Sequence, residues 1–259
     1  MKHLLESWDE LADVFSREEL FLLLDYDGTL TPIVDKPELA TLSPEMRKLL
    51  VGLGERHTVA IVSGRSLEDV KSLVNVSGIY YAGNHGFEVS GPGVDLNNPE
   101  LERYHPIIRE ICSLLEGSLG DIKGVLVENK DLTASLHYRL VSEKDLDRVE
   151  RLFWSLMEDY IDSGDVRVTS GKMVFEVRPD IEWDKGKAVE WLIKVLEKGN
   201  ALPVYLGDDR TDEDAFMVLK DKGIGVLVSE NKGRDSVAKY FLRDVGEVKY
   251  FLSLLAALG

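Results

Sequence analysis

The chain has 259 residues, 44% of them hydrophobic, which is enough for one large domain or two moderate ones with proper cores. Its formal net charge of −16 works against nucleic acid or an anionic membrane as partner, because the long-range field repels polyanions. Cys112 is the only cysteine, which excludes an internal disulfide, a cysteine zinc cluster and a paired redox motif, and suits a reducing, cytoplasmic location.

The first twenty residues carry Glu6, Asp9, Glu10 and Asp13, charges that no signal-peptide apolar stretch would hold, and they read as an amphipathic surface helix. The four apolar residues 21–24 then form a short run that fits a fully buried parallel strand. It leads directly into Asp25-Tyr26-Asp27-Gly28-Thr29-Leu30, so two carboxylates arrive at the carboxyl end of a strand, the edge where open α/β sheets bind ligands. Like charges placed that closely repel unless a cation joins them or one takes a proton. Asp-Gly is also a common turn signal, which is the structural alternative at this position.

Residues 31–40, with Pro32 and Pro37, read as a loop over the mouth of a site. Ser43 and Pro44 open a helix to about residue 54, followed by a strand at 58–62, a helix at 67–73 and a strand at 79–82. This strand and helix alternation is that of a doubly wound parallel sheet. From 87 to 179 the rhythm changes: short alternating segments at 87–90, 125–129, 133–139, 166–170 and 173–178 are separated by helical patterns at 100–115 and 143–160. The expectation is an α/β core, residues 1–86 and 180–259, interrupted by a smaller α+β cap with an antiparallel sheet over 87–179. The core rhythm resumes with a helix at 185–198, a strand at 204–206, a helix at 211–219 capped by Thr211, strands at 224–228 and 239–242, and a last helix at 247–255.

Three further constellations carry chemistry. Gly207-Asp208-Asp209-Arg210-Thr211-Asp212-Glu213-Asp214 follows another short apolar strand and so reaches the same sheet edge as Asp25 and Asp27. Helix capping accounts for Asp212 to Asp214, whereas Asp208 and Asp209 are surplus to capping and suit a hard cation such as Mg2+. Ser63, ahead of Gly64 and Arg65, is either a helix cap or a phosphate ligand. Lys185 offers a positive charge to a phosphate and its carboxylates, with Lys187 as the competing candidate.

The acidic pair, the serine, the lysine and the second acidic cluster resemble, in order, the motifs of the haloacid-dehalogenase-like phosphatase superfamily. That resemblance implies Asp25 as nucleophile, Asp27 as general acid/base, Ser63 and Lys185 on the transferring phosphoryl group, and Mg2+ at Asp25, the Asp27 carbonyl, Asp208 and Asp209. Within that superfamily, Gly83-Asn84-His85-Gly86-Phe87-Glu88, His137-Tyr138-Arg139, Gly171-Lys172 with Glu176, and Lys185-Gly186 look like motifs of the trehalose-6-phosphate phosphatases. By this likeness Gly64, Arg65, Asn84, His85, Glu88, Arg139, Lys172 and Glu176 bind the substrate and the partner is a small-molecule sugar phosphate; functional pairing with a separate trehalose-phosphate synthase is compatible with it and is left open by the sequence. Each cap residue has a structural alternative: a turn for His85, a cross-strand ion pair for Arg139 and Glu176, a hairpin turn for Gly171-Lys172. A phosphatase for sucrose 6-phosphate or mannosyl-3-phosphoglycerate, a sugar phosphomutase and a non-catalytic sugar-phosphate sensor are the competing functions.

Overall fold

The computed structural model describes residues 1–34, 36–97, 101–196, 198, 200–231 and 233–258. The chain opens with strand β1 (Lys2–His3), a 3₁₀ turn at Leu5–Ser7 and helix α1 (Trp8–Arg17). It continues through β2 (Leu20–Leu24), α2 (Pro44–Gly54), β3 (Thr58–Val62), α3 (Leu67–Val74), β4 (Tyr80–Gly83), β5 (Glu88–Gly91) and β6 (Val94–Asn97). The next segment holds α4 (Tyr104–Leu119), β7 (Leu126–Asn129), β8 (Ala134–His137), α5 (Glu143–Asp162), β9 (Val166–Ser170) and β10 (Val174–Pro179). The chain closes with α6 (Lys185–Val195), β11 (Leu202–Gly207), α7 (Asp212–Leu219), β12 (Ile224–Val228), β13 (Tyr240–Leu242) and α8 (Val245–Ala257). Two compact units result: Met1–Leu96 with Trp183–Gly259, and Asn97–Glu182.

In the larger unit the described residues form a nine-stranded sheet in the order β1-β13-β12-β11-β2-β3-β4-β5-β6, parallel from β1 through β4. Every residue of β2 is buried. Alternation along β2 explains the two layers of helices, since side chains two apart share a face. Leu20, Leu22 and Leu24 pack with residues of α1, α2, α3 and α8, while Phe21 and Leu23 pack with Val189 and Leu192 of α6 and Phe216 and Leu219 of α7. This is the doubly wound arrangement read from the sequence, and it leaves the β2 carboxyl end beside those of β3 and β11. Ser43 caps α2 by accepting from Met46 N at 3.2 Å, as expected for a serine ahead of a proline at the first helical position.

Two sequence readings need correcting. Residues 1–20 are not helical throughout: Lys2 and His3 pair with Tyr240 and Phe241 of β13, and buried His3 is held to Glu247 at 2.9 Å. Helical periodicity cannot reveal an edge strand whose partner lies so far along the chain. The strand near 87–90 does not belong with the inserted segment, because β5 pairs antiparallel with β4, Ala82 opposite Val89, and so extends the larger sheet. The expected helix start at Glu100 lies outside the described residues, and α4 begins at Tyr104.

The smaller unit is an antiparallel sheet in the order β7-β8-β10-β9, with α4 and α5 on one face. Phe175 and Val177 alternate with Glu176, so the aromatic and aliphatic side chains enter the core, where Phe153 of α5 stacks on Phe175 at 4.4 Å. Gly171 N donates to Val174 O, closing the β9–β10 turn expected at Ser170-Gly171-Lys172. No helix among the described residues is long and apolar enough to cross a membrane.

Candidate active site

The parallel ladder continues past β2: Asp25 N donates to Leu206 O at 2.9 Å, which sets Asp25 beside the end of β11. One ligand atom from each of Asp25, Asp208 and Asp212 comes within 4.8 Å of the others, and all three residues are buried. Lys185, only 3% exposed at the start of α6, donates from Nζ to Asp25 Oδ1 and to Asp212 Oδ1, both at 2.7 Å. Asp212 accepts two further hydrogen bonds, from the Tyr205 hydroxyl to Oδ1 at 2.7 Å and from Asp209 N to Oδ2 at 2.8 Å.

These contacts set the electrostatics. Burial pushes the Asp25 carboxyl well above the ordinary carboxylate range; Lys185 opposes this, and Asp212 and Asp208 add to it. Burial alone would lower Lys185, but Asp212 and Asp25 outweigh it and hold the ammonium charged. Burial, reinforced by Asp212, likewise raises the Tyr205 phenol, which stays a donor. The three buried carboxylates that converge here offer oxygen donors only. That chemistry fits a hard divalent cation.

Two glycines make the carboxylate approach feasible. Gly28 has φ +84°, and a Cβ there would lie 2.4 Å from Asp208 Cγ. A Cβ on Gly207 would lie 2.3 Å from Asp212 Cγ.

The other expected residues divide as follows. Ser63 does not cap α3: its Oγ accepts from Arg65 N at 3.1 Å, while Ser66 caps the helix through Asp69 N. Asn84 N donates to Arg65 O, and His85 N to Ser63 O, so the turns after β3 and β4 are laced together around Gly64. Both Asn84 and His85 are buried in left-handed backbone, with φ of 47° and 57°, and Asn84 Nδ2 donates to Glu88 at 2.6 Å. The Asp27 carboxylate is absent from the acidic group and is gripped by Arg65, Nε to Oδ2 at 2.7 Å and Nη2 to Oδ1 at 2.8 Å. Burial alone would lower the Arg65 guanidinium, but Asp27 and Asp69 raise it, so its charge is fixed. Asp209 likewise keeps its carboxylate outside the group and contributes only its backbone N–H. Lys185, not Lys187, meets Asp25; the Lys187 N–H is used by the Asp184 cap of α6.

In the smaller unit, Glu128, Ser135 and Glu176 form one row across β7, β8 and β10, on the face that Phe175 and Val177 leave. Lys130 lies 3.3 Å from Glu176, His137 lies 2.9 Å from Glu128, and Arg139 donates to Lys172 O at 3.1 Å.

Sequence reasoning missed Asp212, which it assigned to helix capping, and Tyr205. The four-residue spacing from Asp208 and the glycine ahead of the cluster were the available signals, since a tight turn there returns Asp212 to the strand end. For Tyr205 the signal was alternation along β11, which turns it away from Val204 and Leu206.

Fold and site together define a phosphoric monoester hydrolase of the haloacid-dehalogenase-like class. Residues 23–246 match the trehalose-phosphatase family model. The chain is 38% identical over 265 residues to trehalose-phosphate phosphatase B of Arabidopsis thaliana, covering 97% of this chain and 70% of that one. It is 37% identical over 270 residues to trehalose 6-phosphate phosphatase RA3 of Zea mays, covering 97% and 74%. A solved trehalose-6-phosphate phosphatase related protein superposes with a TM-score of 0.80 at 25% identity, covering 93% of this chain and 98% of that one. The chain belongs to the trehalose-phosphatase family.

Proposed function

We propose that this protein hydrolyses trehalose 6-phosphate to trehalose and phosphate, with Mg2+ as the divalent cation. The observation that carries the chemistry is the buried set Asp25, Lys185, Asp208 and Asp212 at the sheet edge, and the family match carries the sugar. Asp25, Asp208 and the Asp27 carbonyl would hold the cation. When bound, it neutralises charge on the phosphoryl oxygens.

The chain's own residues supply the rest. An Asp25 oxygen attacks phosphorus; the bond from phosphorus to the sugar oxygen breaks, and that oxygen takes a proton from Asp27. Water then attacks the aspartyl phosphate and gives its proton to the Asp27 carboxylate, phosphate leaves, and Asp25 is regenerated. Lys185 keeps the nucleophile oriented and offsets charge on the transferring group, and the Ser63 hydroxyl binds a phosphoryl oxygen. In the larger unit Asn84, His85 and Glu88, and in the smaller unit Arg139, Lys172 and Glu176, carry donors and acceptors of the kinds that sugar hydroxyls take.

Phosphate release with Mg2+ across trehalose 6-phosphate, sucrose 6-phosphate, glucose 6-phosphate, mannosyl-3-phosphoglycerate and an aryl phosphate tests the assignment. A lead of about 100-fold for the trehalose compound is expected, worth ~2.7 kcal/mol of transition-state discrimination. A lead by another sugar phosphate overturns the substrate. Binding of trehalose 6-phosphate without turnover on any substrate points to a sensor.

A further inference from the structure

The acid/base reading of Asp27 leaves open what aims its carboxylate, since a catalytic acid must meet the leaving oxygen within hydrogen-bond reach. Asp27 sits on the turn after β2, and 40% of its side chain is exposed. An aspartate so placed would ordinarily sample several rotamers. Here both its oxygens are engaged by one guanidinium, through Nε at 2.7 Å and Nη2 at 2.8 Å. Such a planar fork fixes direction as well as distance, which an ammonium cannot do.

The fork is itself immobilised. Arg65 is 7% exposed, its Nη1 donates to Asp69 Oδ2 at 2.7 Å, and its Nη2 also donates to Pro37 O at 2.9 Å. Its guanidinium lies 5.4 Å from the centre of the Tyr26 ring. Asp69 is in turn fixed in the first turn of α3, where its N–H donates to Ser66 Oγ. A rigid line therefore runs from the cap of α3 through Asp69 and Arg65 to Asp27.

We infer that Arg65 is a positioning residue for Asp27, with Asp69 bracing it, and that it does not bind the substrate's phosphate. The inference rests on the acid/base reading of Asp27.

The test compares kcat/KM, which covers steps up to leaving-group departure, for Arg65→Gln, Asp69→Asn and Asp27→Asn in the whole chain with Mg2+. Substrates are trehalose 6-phosphate and an aryl series from phenyl to 4-nitrophenyl phosphate; the series does not depend on the sugar assignment. Phenolates that leave without a proton do not need the acid. Arg65→Gln is expected to lose about 100-fold on trehalose 6-phosphate and phenyl phosphate, but under about fivefold on 4-nitrophenyl phosphate. Asp69→Asn, at a partly exposed side chain, is expected to lose about tenfold with the same dependence on leaving group. Inhibition by inorganic phosphate should stay within about twofold of wild type. Equal losses along the series by both Arg65 and Asp69 variants would make the link merely structural, and phosphate inhibition weakened about tenfold or more would place Arg65 on the phosphate; either overturns the inference. If Asp27→Asn shows no dependence on leaving group, the acid/base reading fails and the inference with it; if Asp27→Asn shows it and Arg65→Gln does not, the inference alone fails.

Discussion

Removing two members of the buried charge group together should cost less than the sum of removing each alone. Lys185 is 3% exposed and donates at 2.7 Å to both Asp25 and Asp212, the latter fully buried. Lys185→Met leaves those carboxylates without a counter-ion, and breaking a buried pair from one side costs about 3–5 kcal/mol. Asp212→Asn keeps one acceptor for Lys185 and Tyr205 but loses the charge and cannot accept from Asp209 N–H through its amide nitrogen, a cost of ~2–3 kcal/mol. The double variant removes the ammonium and one of its two carboxylate partners together, so its cost should fall short of the sum by about 1–3 kcal/mol. Thermal unfolding in chelator reads this, so that no metal replaces the ammonium. For a unit of this size about 4 kcal/mol lowers Tm by roughly 8–16 °C. Additive losses to within about 0.5 kcal/mol would refute the claim that these groups act as one network.

Other outcomes follow from single features. Gly28→Ala drives a Cβ to within 2.4 Å of Asp208 Cγ at φ +84°. Turnover should drop about 100-fold or more for a stability loss of only ~1–3 kcal/mol, and a variant keeping over a tenth of its activity would contradict the crowding argument. Burial, helped by Glu116, raises the Cys112 thiol from 9.0 to about 11. Both folded and unfolded chains keep that proton below pH 9, whereas above it the unfolded chain ionises first. Stability should therefore fall by up to about 2.7 kcal/mol as pH rises through that window. Urea midpoints measured from pH 8 to 10.5 should decline more steeply for wild type than for Cys112→Ala, and parallel curves would be wrong for this assignment. Glu176→Ala should cut kcat/KM on trehalose 6-phosphate by about 30-fold and on an aryl phosphate by under about threefold; equal losses would remove Glu176 from the sugar.

What could be read from the sequence was what local chemistry dictates. The apolar run before Asp25 became β2, the 58–62 strand matches β3 residue for residue, and Ser43 with Pro44 marks the α2 start. Asp25, Lys185 and Asp208 were legible because each stands where a strand or helix meets the binding edge. Asp212 was not, since a carboxylate in a first helical turn has a sufficient local explanation in the helix dipole. Only the fold reveals that it turns inward to Lys185 and Tyr205. The Arg65 grip on Asp27 was hidden for a related reason: an arginine after Ser63-Gly64 has no local signature that separates holding a phosphate from holding a carboxylate. Pairing of β1 with β13 and of β5 with β4 escaped because partner choice is a tertiary fact.

The most direct measurement is phosphate release from trehalose 6-phosphate with Mg2+, wild type beside Asp25→Asn, with circular dichroism to verify both folds. The expected result is sustained turnover by wild type and roughly a thousandth of it or less in the variant, since the amide cannot form the phosphoryl-enzyme. Inactive wild type, or a folded variant retaining more than about a tenth of wild-type turnover, would contradict the account.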